Sequence, residues 1–435
     1  MASPIPLWGS EHELLLELKA DRVDELRQFA FQHEGKPLPQ PWQGWDFDIT
    51  TDANESVADV KDKKVSQRNR LHRAVKNLLG EAGVTMDDGV IEFGGWSVVD
   101  DESLDEAQAP SKHYWRIEIV SRPIRADEDW KEEVQLVYET LSEYFNIRVN
   151  NSCSMHVHVT PGTSTVYPYY TKEQIADVAC GTCYWENPLH TIMPKDRKEN
   201  PYAVANTTHI PNLMKRYGEF YAAGSTKKWA HVFGPFLTAR TRSVLHVVDL
   251  MYGNKDRVTP PKKEHPNDYN KYMSTNFCNI QATCGTVEFR RQGGASSHEQ
   301  ANKQIIFALA MHVSMLQENW TTKGGLNAKP TPQDFINELM AGMTRLPTQS
   351  RHEGFKAWLD GMLTANRSAI PGKLSDTEVA KINKIQQKHL YIPSAFATTG
   401  IHSRPGTPVQ PGSPLQAPAQ WPIDIELDPW AGYQS

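Results

Sequence analysis

The sequence has no uninterrupted apolar run of the about 18 residues that a membrane-spanning helix needs. A helical membrane protein is therefore excluded. It has no positive excess either, since 46 Lys and Arg stand against 52 Asp and Glu, for a net charge of −6. Bulk attraction to nucleic acid or to an anionic membrane is not expected from that balance. Cysteine is scarce and odd in number, five in 435 residues, which does not make a disulfide framework. A reducing, cytoplasmic location is the simplest expectation. The start, Met1 to Gly9, lacks a basic stretch followed by an apolar one, and Glu11 and Glu13 follow at once. No secretory leader is expected there. There is no Gly-x-x-x-x-Gly-Lys-Ser/Thr loop and no kinase-type glycine-rich loop, so a P-loop site is ruled out.

What is present is enough to fold. The chain carries 12 Trp, 15 Tyr and 14 Phe, too many large side chains for a wholly disordered polymer. Residues 9–19 read either as a strand with Glu11 and Glu13 on one face or as the opening of a helix. Leu71, Val75, Leu78 and Leu79 make a helical stripe over 66–83. Strands are expected at 90–99, 114–121, 147–150, 155–160 and 286–290, where β-branched and aromatic residues gather between turn signals. Helices are expected at 130–145, at 299–319 and from a Thr171/Gln174 capping box to about Tyr184. A further helix is capped by Ser375 and Glu378. Interleaving without a fixed repeat gives an α+β fold with a mostly antiparallel sheet. Residues 253–271 read as a polar surface loop. The last 35 residues hold 7 of the 29 prolines and read as a flexible Pro-rich tail, either simply solvated or binding a protein partner.

Five short motifs could carry chemistry. In His156-Val157-His158-Val159 a strand puts both imidazoles on one side, able to share a metal or an anionic ligand. Glu118 sits amid Ile117, Ile119 and Val120, and on an inward face it needs a cation, because an unpaired buried carboxylate is costly. Glu288 and Arg290 share a face, either as a plain ion pair or as a metal acid beside a phosphate-binding arginine. Glu11-His12-Glu13 and Asp100-Asp101-Glu102 are uninformative singly. Together the set describes a sheet lined by hard oxygen donors and imidazole, suited to Mg²⁺ or Mn²⁺ holding a nucleoside triphosphate.

The order of these motifs resembles a family. Gly9-Ser10-Glu11-His12-Glu13-Leu14-Leu15, Trp96-Ser97-Val98-Val99-Asp100-Asp101-Glu102-Ser103-Leu104, Glu118-Ile119-Val120-Ser121, Cys153-Ser154-Met155-His156-Val157-His158-Val159 and Thr286-Val287-Glu288-Phe289-Arg290 follow one another. So do Pro194 to Asn200, and Asn276. The chain is similar over residues 9–320 to the amidoligase family common in fungi, distant relatives of glutamine synthetase and glutamate–cysteine ligase. That resemblance implies a glutamine-synthetase-like antiparallel sheet with flanking helices. It implies ATP-dependent ligation of a carboxylate, glutamate or a glutamyl group at the family level, to an amine through an acyl phosphate. The implied metal ligands are Glu11, Glu13, Asp101, Glu118, His156 and Glu288, with Mg or Mn and ATP as cofactors. Arg290 would stabilise the transferring phosphoryl group, with Glu288 beside it. His158 and Arg197 would contact nucleotide or substrate. The division expected is a catalytic domain over 1–320, a helical extension over 321–398 and the tail over 399–435.

Two departures from the family pattern bear on loop geometry: Ser154 stands where a glycine often precedes the His pair, and Arg122 intervenes before Pro123. Asp52, in a Trp-to-Asp stretch of its own, competes with Asp101 as the aligned acid, and Asp101 is preferred because it closely precedes Glu118. Two other functions stay open. One is a metal-dependent hydrolase or cupin-like enzyme using His156 and His158. The other is a non-catalytic scaffold with the same fold. Cys180-Gly181-Thr182-Cys183 is a redox pair, half a zinc site, or small residues packed within a helix.

Overall fold

A computed structural model describes residues 5–26, 57–89, 93–101, 103–104, 114–162, 169–198, 200, 202–252, 272–281 and 284–366. The Asp52 stretch, the 253–271 loop, the helix capped by Ser375 and the Pro-rich tail lie outside these residues.

The first long apolar-acidic segment is a strand, β1 (Leu7–Leu18), which settles the strand-or-helix alternative. Next come α1 (Val57–Glu81), β2 (Ser97–Val99), β3 (Tyr114–Val120), β4 (Ile124–Arg125), α2 (Trp130–Tyr144), β5 (Phe145–Arg148) and β6 (Ser154–Thr160). The helical middle contains α3 (Lys172–Ile192), α4 (Lys195–Lys198), α5 (Asn206–His209), α6 (Pro211–Tyr221), α7 (Ala230–Ala239) and α8 (Val244–Tyr252). Strands β7 (Thr275–Asn276) and β8 (Val287–Gly293) complete the sheet, and α9 (His298–Gln317), α10 (Trp320–Gly324), α11 (Pro332–Arg345) and α12 (Phe355–Ala365) follow. Among the described residues no helix is long and apolar enough to cross a membrane.

The eight strands form one antiparallel sheet in the order β2-β3-β1-β6-β8-β7, with β4 and β5 also pairing β1. Alternation then sorts the side chains. Leu14, Leu16, Ile117, Ile119, Met155, Val157, Val159, Val287 and Phe289 enter the main core with the helices. The intervening residues, Glu11, Glu13, Glu118, His156, His158 and Glu288, share the opposite face. His12 goes with the apolar set, its Nδ1 3.0 Å from the Tyr138 hydroxyl of α2 and its Nε2 2.8 Å from Ser10 Oγ. Burial pushes that imidazole down to about 3, so it is neutral packing and not part of any site.

Helices α3 and α9 are buried on nearly all sides, as befits helices at the centre of a layer. The Thr171/Gln174 capping box is formed in both directions, yet α3 runs through Pro188 to Ile192, past the expected end near Tyr184. Cys180 and Cys183 are both buried and free within the hydrophobic core, and burial pushes both thiols well up. The packing reading of Cys-x-x-Cys is the one observed. Gly181 lies where α3 meets α9 and α10, and a Cβ there would run into Met315 and Trp320. Gly181→Ala is therefore expected to destabilise the protein by about 1–3 kcal/mol, the usual cost of overpacking. Denaturant titration of the two proteins checks this, and an increase in stability would contradict the close approach.

Of the strand expected over 90–99, residues 90–92 lie outside the described residues, and the remainder is extended only over Ser97–Val99. Phe93 has φ of 60°, so the chain turns there and extended pairing begins only at Ser97. Gly95 passes so close to the backbone at Thr85, Met86 and Asp87 that no Cβ would fit. Trp96 N donates to Thr85 O and Asp87 N to Trp96 O, both at 2.8 Å. A β-rich composition is overridden here by a tight crossing onto the end of α1.

Candidate functional site

Register brings the acidic motifs together. Glu13 stands directly opposite Glu118, Glu11 opposite His156, His158 opposite Glu288, and Glu288 opposite Asn276. Directly opposed residues on neighbouring strands have Cβ atoms about 4.5–5.5 Å apart. The pairs lie on successive rungs and form a slanted row across β3, β1, β6, β8 and β7. Glu13, Glu118, His156 and Glu288 are each at most 4% exposed.

Two groups of ligand-type atoms converge in this row. Glu11, His158 and Glu288 form one, and Glu13, Asp101 and Glu118 form the other, with all donor atoms in each group within 4.8 Å of one another. His156 lies between them. Its Nδ1 is 2.7 Å from Glu11 Oε2 and 3.6 Å from Glu288 Oε1. Its Nε2 is 3.5 Å from Glu13 Oε1 and has no hydrogen-bond partner among the described residues. His158 Nε2 is 3.0 Å from Glu11 Oε1, and its Nδ1 is 3.1 Å from Thr286 Oγ1.

The charges differ between the two groups. In the first, burial would raise the carboxyls, but His158 and His156 hold Glu11 well below the usual range. Against the same burial, Arg290 and His158 hold Glu288 low. Burial would lower His158, yet Glu11 and Glu288 outweigh it and raise the imidazole. In the second group Arg290 and Arg197 pull Glu13 the other way but do not outweigh burial and the neighbouring acids. Burial, then Asp101 and Glu118, push the Glu13 carboxyl well above its ordinary value. Glu13 Oε2 also accepts from Ser154 N at 2.5 Å.

Beside Arg290 the pairing is irregular. Val157 faces Phe289 while Met155 faces Gln292, so His156 is opposed by two residues of β8, the pattern of a β-bulge. Arg290 lies on the carboxylate face, as alternation requires, and touches Glu288, while Arg291 points the other way to Glu186 of α3. Gln292 follows to the helix side, where its Nε2 donates to Gln304 O at 2.8 Å. Arg290 Nε also donates to Tyr202 O at 3.3 Å, and its guanidinium lies 5.9 Å from the Tyr272 ring centre. Burial opposes its charge, but Glu288, Glu11 and Glu13 outweigh it and hold the guanidinium above its ordinary pKa.

The sequence-derived residues Glu11, Glu13, Asp101, Glu118, His156, His158, Glu288 and Arg290 thus converge. His158, expected at the nucleotide, stands within the Glu11–Glu288 group, and His156, expected as the ligand, bridges the groups. Arg197, expected to touch nucleotide or substrate, is fully buried, and its Nη2 donates to Arg290 O at 2.9 Å. Burial lowers it to about 10. It braces the bulge, because a guanidinium can satisfy the carbonyls that irregular pairing leaves over. Asn279 was not anticipated: its Nδ2 lies 3.1 Å from Glu288 Oε2 and 3.3 Å from His158 Nδ1. Asn276 Nδ2 donates to the same carboxylate oxygen at 2.6 Å. The one early signal for Arg291 was the Arg-Arg pair itself, since strict alternation sends one of two consecutive arginines into the core. Glu186, an acid inside an apolar helix, was its legible partner.

An open antiparallel sheet with helices on one face and a row of carboxylates and imidazoles on the other defines an α+β protein with a carboxylate-lined sheet site. The model of a family described as "putative amidoligase enzyme" matches residues 50–312. This chain belongs to that family. No curated protein and no solved structure matches it.

Proposed function

We propose that the protein is an ATP-dependent carboxylate–amine ligase that forms an amide through an acyl phosphate, with Mg²⁺ or Mn²⁺ held by the two groups. The observation that carries this reading is the buried pair Glu13 and Glu118, directly opposite each other with Asp101 beside them. Like charges so placed are destabilising, and a divalent cation removes the conflict. The donor set fits: hard oxygens suit Mg²⁺ or Mn²⁺, one imidazole in the first group is compatible with either, and the unpartnered His156 Nε2 leaves a donor to spare.

A carboxylate is a poor electrophile. Transfer of the γ-phosphoryl group to its oxygen releases ADP and leaves a good leaving group on the acyl carbon. The amine then attacks that carbon, loses a proton and expels phosphate. Phosphoryl transfer needs positioning and charge neutralisation more than covalent help. Bound divalent cations supply part of that neutralisation. Arg290 supplies the rest from this chain, a permanently charged fork whose orientation is set by Glu288, the Tyr202 carbonyl and the Tyr272 ring. Asn276 and Asn279 hold the Glu288 carboxylate in one orientation from the far side.

The test is ADP release over a panel of amino acids and amines, with mass spectrometry of the product. Release that requires both an acid and an amine is expected. Chelator-sensitive turnover without nucleotide would replace the reading with the hydrolase alternative.

Divalent-ion binding carries its own pH signature. Glu13 is held above its ordinary pKa in the metal-free protein, and only the ionised form ligates, so binding expels a proton. The thermal stabilisation produced by a fixed concentration of Mg²⁺ is expected to grow as pH rises above the ordinary carboxylate range. An increment that is flat or falls with pH would contradict it.

A further inference from the structure

The four strands β1, β3, β6 and β8 hold their ligand-type residues rigidly, but Asp101 belongs to no strand. It follows β2 and Asp100, and a side chain there would sample many positions unless its backbone were pinned. The pins are visible. Arg116 of β3 grips Asp100 with both prongs, Nε to Oδ1 at 2.7 Å and Nη2 to Oδ2 at 2.9 Å. Arg68 of α1 adds Nη1 to Oδ2 at 3.3 Å. Paired donors of this kind fix a carboxylate in angle as well as distance. Burial would raise Asp100, but Arg116 and Arg68 hold it below its ordinary value. On the other side of Asp101, Leu104 is buried with Leu15, Tyr114 and Cys153. Asp101 Oδ1 itself accepts from Ser103 N at 2.7 Å, which orients the side chain. His72 of α1 lies 3.3 Å from the Arg116 carbonyl, tying the clamp to the helix.

Two adjacent aspartates therefore divide the work. Asp100 faces arginines, and Asp101 faces Glu13 and Glu118. We propose that Asp100 and Arg116, braced by Arg68, are positioning residues that deliver Asp101 to the carboxylate group. Their loss weakens divalent-cation binding there and leaves the Glu11–His158–Glu288 group unaffected. The inference rests on the reading of both groups as cation sites. Support residues of this kind are worth about 10–100-fold in metal affinity.

The experiment is Mn²⁺ titration of the full chain, followed by calorimetry and by electron paramagnetic resonance of free Mn²⁺, with no nucleotide or substrate. The wild-type protein is expected to bind two classes of Mn²⁺, and Asp101→Asn to lose one of them. Asp100→Asn is expected to weaken that same class about tenfold or more and to leave the other unchanged. Arg116→Lys keeps the charge and lacks the fork, so it serves as the milder variant should Asp100→Asn unfold. A smaller weakening confined to the same class is expected of it. Equal weakening of both classes, in step with a lowered melting temperature, would show a merely structural role and overturn the proposal. So would full affinity of the Asp101 class in both clamp variants. Absence of Mn²⁺ binding in the wild-type protein would overturn the cation reading itself, and the proposal with it. Binding that survives in Asp101→Asn would overturn only the assignment of Asp101 and its clamp.

Discussion

Glu118→Gln is expected to make the metal-free protein more stable and the enzyme nearly inactive. The two effects have one cause. In the folded chain Glu118 stands directly opposite Glu13, with Asp101 completing the group, and both glutamates are at most 4% exposed. Removing one charge relieves a like-charge conflict of about 0.2–1 kcal/mol. Glutamine keeps the shape, so no cavity opens. The same substitution deletes one ligand of the proposed cation site. Stabilisation by divalent metal, about 2.7 kcal/mol at a hundredfold excess over Kd for an intact site, should shrink. Turnover should fall by about 10²–10³-fold, the usual loss when a preorganised electrostatic group is removed. Thermal melts with and without Mg²⁺, beside ADP-release rates, read both effects. A variant that is less stable without metal yet fully active would remove the basis for placing a cation at Glu13 and Glu118.

Arg290→Met should be harmful in both respects. Arg290 is buried against Glu288 and lies 3.4 Å from His156 Nδ1, and its charge offsets Glu288, Glu11 and Glu13. Breaking one side of a buried pair leaves the other uncompensated and costs about 3–5 kcal/mol. Loss of the phosphoryl-stabilising fork should lower turnover by about 10³-fold. Arg290→Lys separates the two roles. An ammonium restores the charge, so much of the stability should return. It cannot reach the Glu288 carboxylate, the Tyr202 carbonyl and the Tyr272 ring together, so the rate should stay low. Recovery of rate and stability in equal measure would mean that Arg290 serves only as a counter-charge.

Much of the site was legible because strands have a period of two. That period alone puts Glu11 with Glu13, His156 with His158, and Glu288 with Arg290, whatever the rest of the chain does. The near-neutral net charge of −6 hides a cluster of acids on one sheet face. The period does not say which motif lies beside which. Reading Asp101 near Glu118 rested on sequence proximity, and the geometry supports it through a clamp, Arg116 on Asp100, that no local pattern announces. Arg197, given a ligand contact by resemblance, is buried, with its Nη2 on the Arg290 carbonyl. The strand expected over 90–99 failed at Phe93 and Gly95 because a crossing with Thr85 to Asp87 outweighed β propensity. Helix α3 outran its expected end for a related reason: packing on every side of Leu189 and Ile192 sustains it beyond Pro188.

The amino-acid sequence by itself determined the α+β class, the alternating faces of β1, β3, β6 and β8, and the residue types available for chemistry, because these follow from local periodicity and side-chain identity. Tertiary structure alone decided the register that sets Glu13 against Glu118. It also decided the bulge opposite His156, and it set His158 with Glu11 and Glu288 while His156 stands between the two groups. Those depend on how strands distant in sequence slide against one another, and that is chosen by the burial of the opposite, apolar face against α2, α3 and α9. The conflict among the carboxylates is thus a consequence of core packing, tolerated because the apolar side fits only one way.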